Sequence, residues 1–120
     1  MTINLALLHP DLLPLVGDCL NKFPNMRIVQ GFREPAFQDS LHARGISPLT
    51  SMTSKHCFML DGKPASKAFD FAVFDGPTYI TNGADERYTE IGKYAEELGL
   101  CWGGGFIHPG PDYDHIEMIG

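Results

Sequence analysis

The segment that most restricts the fold is Lys67 to Phe74, Lys-Ala-Phe-Asp-Phe-Ala-Val-Phe, whose alternation reads as a strand. Period 2 sends Phe69, Phe71 and Val73 to one face and Ala68, Asp70 and Ala72 to the other. The first is a core face against which helices must pack. The second is lined by small residues around one carboxylate, and a carboxylate within an apolar strand is costly unless it is paired or bound to a cation. Asp70 therefore asks for a partner: a salt bridge to Lys67 or Arg33, an edge position facing water, or a metal ion.

The rest of the chain supplies helices and short strands around that segment. Leu12, Leu13, Val16 and Leu20 recur at helical spacing, which predicts a helix over Pro10 to Leu20, with Pro10 suited to its first turn. Met26 to Phe32 is short and β-branched, as a strand would be. Glu34 to Ala43 carries Phe37 and Leu41 four apart, and Gly45 ends that helix. Ile46 to Ser54 is a polar loop. Asp61-Gly62, between Cys57–Leu60 and Pro64–Ser66, is a two-residue hairpin signal and predicts a tongue. Asp85 to Gly99 is the clearest helix, with an Asp85 cap, a Gly99 terminator and an apolar stripe of Tyr88, Ile91, Tyr94, Ala95 and Leu98. Leu100–Trp102 and Tyr113–Ile119 read as strands around a Gly/Pro loop. Without repeats or a linker, residues 1–120 are expected to form one small α+β domain, an antiparallel sheet packed with a few helices.

Composition narrows the class of function. With 9 basic against 15 acidic side chains the net charge is −6, and the cations are scattered, which argues against a nucleic-acid partner. Cys19, Cys57 and Cys101 contain no CxxC pair, which excludes a complete disulfide framework and an all-cysteine zinc site. The first dozen residues lack a cationic region and are broken by Pro10 and Asp11, so no signal peptide is expected and synthesis is placed in the cytoplasm. The longest uncharged run, Leu98 to Pro111, falls short of the ~18 apolar residues that span a bilayer, and no membrane insertion is expected.

Three residues carry the chemistry. His56, Asp70 and His115 offer two imidazoles and a carboxylate, the three-ligand type of catalytic zinc site whose fourth position stays open. Each also has a plainer reading: His56 as a hydrogen-bonded loop residue, Asp70 as above, and His115 as an ion-paired surface histidine among acidic neighbours. Cys57 as a fourth ligand would close the open position and make the site structural. Gly103 to Gly105 lack the company of GK[ST] or GxGxxG and read as a close-packed cleft floor. His9, His42 and His108 are expected at the surface, and no serine or cysteine nucleophile has a local signature.

Ser54-Lys55-His56, Ala65-Ser66-Lys67-Ala68-Phe69-Asp70-Phe71, Trp102-Gly103-Gly104 and Asp112-Tyr113-Asp114-His115-Ile116-Glu117 occur in an order that resembles the signatures of the zinc D,D-peptidase and L-alanyl-D-glutamate endopeptidase family. Gly31-Phe32-Arg33, with Gln38 after it, resembles the family's Gly-x-Arg segment and following helix. The likeness runs from about Gln30 to Glu117. The family sets its first histidine and its aspartate about seven residues apart against fourteen here (70 − 56), and the Asp61-Gly62 tongue accounts for the surplus, because a short excursion can be looped out while both ends stay in place. Ser66 stands where the family usually has glycine.

The resemblance implies a zinc site in a cleft, with His56, Asp70 and His115 as ligands, Asp112 as general base and Arg33 holding the carbonyl oxygen as it gains charge. Asp112 and His115 are three apart, so on a straight strand they would face opposite ways, and Asp112 serves only if the chain turns between them. Pro109-Gly110-Pro111 favours such a turn. Asp114 is expected to face solvent and Glu117 to orient His115, Glu117 remaining an alternative base. Gln38, Ser54 and Trp102 are placed along the substrate path, Gln38 either hydrogen-bonding the site or facing solvent from its helix, and Trp102 either a cleft wall beside the metal or a core aromatic, the default for a lone tryptophan. The implied activity is hydrolysis of a peptide bond in the bacterial peptidoglycan stem, the L-alanyl-D-glutamate bond first, by a monomeric phage-type endolysin that reaches the wall once the membrane is opened. The alternatives are a D-alanyl-D-alanine carboxypeptidase or dipeptidase, a non-catalytic peptidoglycan-binding module, and a protein with a purely structural zinc.

Overall fold

The computed structural model describes residues 3–107 and 110–120. Its central element, β4 (Ala68–Asp75), pairs antiparallel with β1 (Met26–Gln30), and β7 (His115–Glu117) and β5 (Thr78–Ile80) pair with opposite ends of β4. β6 (Cys101–Trp102) pairs with β7, giving the order β1-β4-β7-β6 with β5 attached to β4. The tongue is a separate hairpin of β2 (Met59–Leu60) and β3 (Lys63–Pro64). Among the described residues three α-helices complete the domain: α1 (Leu13–Lys22), α2 (Pro35–Ala43) and α3 (Glu86–Glu97). The architecture is α+β, as the alternation and the helical spacings predict. No helix among the described residues is long and apolar enough to cross a membrane.

The two faces of β4 divide structure from chemistry. Phe69, Phe71 and Val73 are fully buried against Val16 and Cys19 of α1, Tyr88, Ile91 and Ala95 of α3, and Ile116 of β7. Removing one such aromatic ring costs about 3–5 kcal/mol. The opposite face presents Ala68 and Ala72, both buried, around Asp70. Pairing slips between Ile28 and Gln30 of β1, and Gln30 is the partner of Asp70, so the irregularity sits beside the carboxylate. Such bulges commonly re-aim side chains next to a site.

Element ends differ from expectation for local reasons. α1 begins at Leu13, because the chain first makes a turn in which Leu12 N–H donates to the His9 carbonyl at 2.9 Å, and Pro14 then occupies the first helical turn. The expected strand Tyr113–Ile119 shortens to His115–Glu117 because a turn precedes it, closed by His115 N–H on the Asp112 carbonyl at 3.2 Å. Gly110 and Pro111 lead into that turn; His108 and Pro109 lie outside the described residues. β5 was not foreseen, although Asp75-Gly76 signals it: Gly76 has φ +59 at the first position of a two-residue loop, where a type II′ turn requires glycine. In the tongue, Asp61 (φ 53) and Gly62 (φ 77) have the two positive angles of a type I′ turn.

Candidate metal centre and cleft

Three elements bring the candidate ligands together. His56 lies on a single 3-10 turn (Lys55–Cys57) before the tongue, Asp70 on the small-residue face of β4, and His115 at the first position of β7, where it pairs directly with Asp70. His115 Nδ1 is 3.0 Å and His56 Nε2 3.5 Å from Asp70 Oδ1, and one ligand atom from each residue lies within 4.8 Å of the others. The rings meet edge to face with centroids 5.2 Å apart. His56 and His115 are 4% and 9% exposed.

The far nitrogen of each ring is already engaged. A carbonyl only accepts, so His56 Nδ1–H donates to the Gly31 carbonyl at 2.8 Å, and Nε2 is the ring nitrogen that faces Asp70. The Glu117 carboxylate takes the Nε2–H of His115 at 2.8 Å and leaves Nδ1 facing Asp70. Ligating imidazoles are held in this way in metal sites, where the outer partner fixes tautomer and ring direction. Two nitrogens and one carboxylate oxygen, all from protein and with room beside them, suit zinc with an open coordination position.

Electrostatics fit the same arrangement. Burial alone would raise the Asp70 pKa, but hydrogen bonds from His115 and His56 outweigh it and hold the carboxyl below the usual carboxylate range. Burial would lower His115, yet its bonds to Asp70 and Glu117 push it up to about 9. Glu117, despite burial, is lowered by His115 and by Lys55, whose Nζ lies 2.7 Å from Glu117 Oε2 and also donates to the Met118 carbonyl at 2.6 Å.

The three residues lie on one wall of a cleft of about 710 Å3, which Arg33, Asp112, Glu117, Lys55 and Ser54 also line. Leu41, Ile46, Pro48 and Leu49 form an apolar side, and Phe106 stands 5.9 Å from the His115 ring. By sequence, no protein-family model and no curated protein matches this chain. By structure, it matches the Serratia marcescens L-Ala D-Glu endopeptidase ChiX with a TM-score of 0.76 at 22% identity, over 97% of this chain and 84% of that one.

The two proteins share one fold.

Within this shared fold the remaining expected residues fall in different places. Asp112 is exposed at the cleft on the turn before β7, so the chain does bend between it and His115. Gly103 makes that position possible: its carbonyl accepts Asp112 N–H at 2.8 Å, and a Cβ there would overlap the Asp112 carbonyl oxygen. Arg33 Nη2 lies 3.6 Å from Asp70 Oδ2, and its backbone N–H donates to the His56 carbonyl at 2.9 Å. Ser54 is buried at the cleft edge. The Ser66 hydroxyl is fully buried and donates to the Ala68 carbonyl at 2.6 Å.

Three expectations are corrected. Trp102 is a core residue that does not line the cleft: its ring packs on Gly92 of α3 and its Nε1–H donates to the Tyr113 carbonyl at 2.8 Å. Gln38 is 0% exposed with its amide spent on protein partners, so it touches no substrate. Asp114 is half-buried, and burial, a hydrogen bond with Asp112 and the charge of Asp70 push it up to about 7. Cys57 is buried, its thiol raised chiefly by burial, and it is not among the converging ligands. His42 is exposed, whereas His9 is half-buried with its ring 5.9 Å from Phe58. Sequence reasoning missed Lys55 as the partner of Glu117 and Gly31 as the partner of His56, since nothing in a residue's own neighbourhood reports a contact across 62 or 25 positions (117 − 55, 56 − 31).

Proposed function

We propose that this chain is a zinc peptidase that hydrolyses a peptide bond in the stem peptide of bacterial peptidoglycan, the L-alanyl-D-glutamate bond first, and that it works as an endolysin. The observation that carries the reading is the convergence of His56 Nε2, Asp70 Oδ1 and His115 Nδ1 on one wall of a cleft, with both far nitrogens tied to Gly31 and Glu117. The endopeptidase named in the shared-fold structure supports the substrate class and the bond.

A zinc ion held by these three residues would polarise the scissile carbonyl and bring the pKa of a water down to about 7. The chain's own groups do the rest. Asp112 takes the proton of the attacking water and delivers it to the leaving amine, so the carbonyl carbon gains hydroxyl and the nitrogen gains hydrogen. Arg33, whose charge persists at any working pH, holds the carbonyl oxygen as it becomes negative. Glu117 keeps His115 turned toward Asp70, and the apolar side of the cleft excludes bulk water.

The test is digestion of purified cell walls by the zinc-loaded protein, with mass analysis of the fragments. New peptides beginning at D-glutamate are expected, and Asp112→Ala should abolish them with its zinc retained. Release of D-alanine would transfer the assignment to the D-alanyl-D-alanine bond. Intact walls would overturn the reading.

A further inference from the structure

Gln38 is the one fully buried polar side chain of α2, and every hydrogen-bonding group of its amide that has a partner reaches a different part of the cleft. Its Oε1 accepts Arg33 Nη1–H at 2.7 Å. Its Nε2 donates to the Leu49 carbonyl at 2.7 Å and to Ser47 Oγ at 3.0 Å. Ser47 and Leu49 belong to the loop that, with Ile46 and Pro48, forms the apolar side of the cleft. Arg33 Nε is buried and has no hydrogen-bond partner among the described residues, so Gln38, together with the more distant Asp70, is what fixes the direction of the guanidinium.

We propose that Gln38 is a positioning residue that holds Arg33 and the Ile46–Leu49 cleft side as one unit, so that the loop that embraces the substrate and the group that meets its carbonyl oxygen are set in place together. The inference rests on the role given to Arg33 above. Glutamine suits the task because one planar amide carries an acceptor for the arginine and two donors for the loop. Ionised glutamate keeps the acceptor and loses the donors; methionine fills the space and supplies neither. The buried site makes each lost partner costly, since the groups left behind are unpaired.

The two halves of the unit separate kinetically. Gln38→Glu keeps the Arg33 bond and releases the loop, so it raises KM with kcat close to wild type. Gln38→Met releases both, so it raises KM and also lowers kcat by about 100-fold, the scale expected when an aligned group is displaced by roughly 1 Å. Deuterium uptake at the amides of Ile46, Ser47 and Leu49 rises in both variants. In an Arg33→Lys background, Gln38→Met lowers kcat little further, because the group it acts through is already lost. Ser47→Ala, a milder change at the loop end, raises KM alone, and it keeps the inference testable where a Gln38 variant fails to fold.

Identical kcat and KM in Gln38→Glu and Gln38→Met, or fully additive losses with Arg33→Lys, would overturn the proposal. An Arg33→Lys enzyme with wild-type kcat would overturn the role of Arg33 and this inference with it. An impaired Arg33→Lys beside an unimpaired Gln38→Met would remove Gln38 alone.

Discussion

Asp70 Oδ1 and His115 Nδ1 stand 3.0 Å apart because the two residues are directly opposed partners on β4 and β7. Opposed residues of an antiparallel pair share a face, so the sheet register sets the separation of two candidate ligands, and a slip of one residue would turn His115 to the other side.

The metal-free protein should show this pair in its pH dependence. His115 holds its proton up to about 9 against an ordinary 6.5, so its contribution to folding is complete below pH 6.5 and is lost as pH rises through 9. Asp70, held below its ordinary 3.8, contributes above that value and loses the contribution as pH falls. Chelator-treated protein should therefore melt highest between about pH 4 and 6.5 and progressively lower toward pH 9. Metal uptake displaces the His115 proton, so zinc affinity should rise about tenfold per pH unit between 6.5 and 9. Competition with a chelator of known affinity, repeated across that range, reads the slope; a flat profile contradicts it.

Glu117→Gln should weaken zinc binding by about 10- to 100-fold, because a neutral amide oxygen accepts the Nε2–H of His115 more weakly than a carboxylate and leaves Lys55 without its ion-pair partner. Zinc content after dialysis against graded chelator, at matched folded fraction by circular dichroism, measures the loss.

Gly103→Ala should separate Asp112, the proposed base, from the candidate ligands. The new methyl overlaps the Asp112 carbonyl oxygen and pushes the turn outward, a change worth about 1–3 kcal/mol of stability. Zinc binding should be kept while wall hydrolysis falls, and dye-release assays beside metal analysis distinguish this from general unfolding.

The tongue should be dispensable. Ala65 N–H donates to the Phe58 carbonyl at 3.0 Å, so the hairpin is closed at its base, and Met59 and Leu60 are exposed. Replacing Met59–Pro64 with Asn-Gly should cost about 1 kcal/mol or less, a shift of a few degrees in Tm, and leave zinc stoichiometry at one. Loss of zinc from that variant would show that the tongue supports His56.

Much of the architecture was legible because it is periodic or punctuated. The alternation of Lys67–Phe74 identifies β4 and both of its faces, and Asp85 and Gly99 bracket α3. The Asp61-Gly62 pair is a hairpin at both φ angles. What stayed hidden depends on tertiary packing. A lone tryptophan before three glycines does not say whether its ring faces core or cleft; that is settled by the close approach of Gly92 on α3. Gln38 on a short helix looks like a surface residue until the loop folds back over it. Asp114 looked solvent-facing because period 2 was counted along a strand that in fact begins only at His115.

The closed base of the tongue has a practical meaning. The sequence distance between His56 and Asp70 is free to vary, while their distance in space is fixed by the 3-10 turn and the sheet. A search for relatives that demands a constant gap between these two residues would pass over chains built this way, whereas one that scores the two flanks separately would retain them. The same tip is a natural attachment point for a fluorophore or a cell-wall anchor, carried at arm's length from the chemistry.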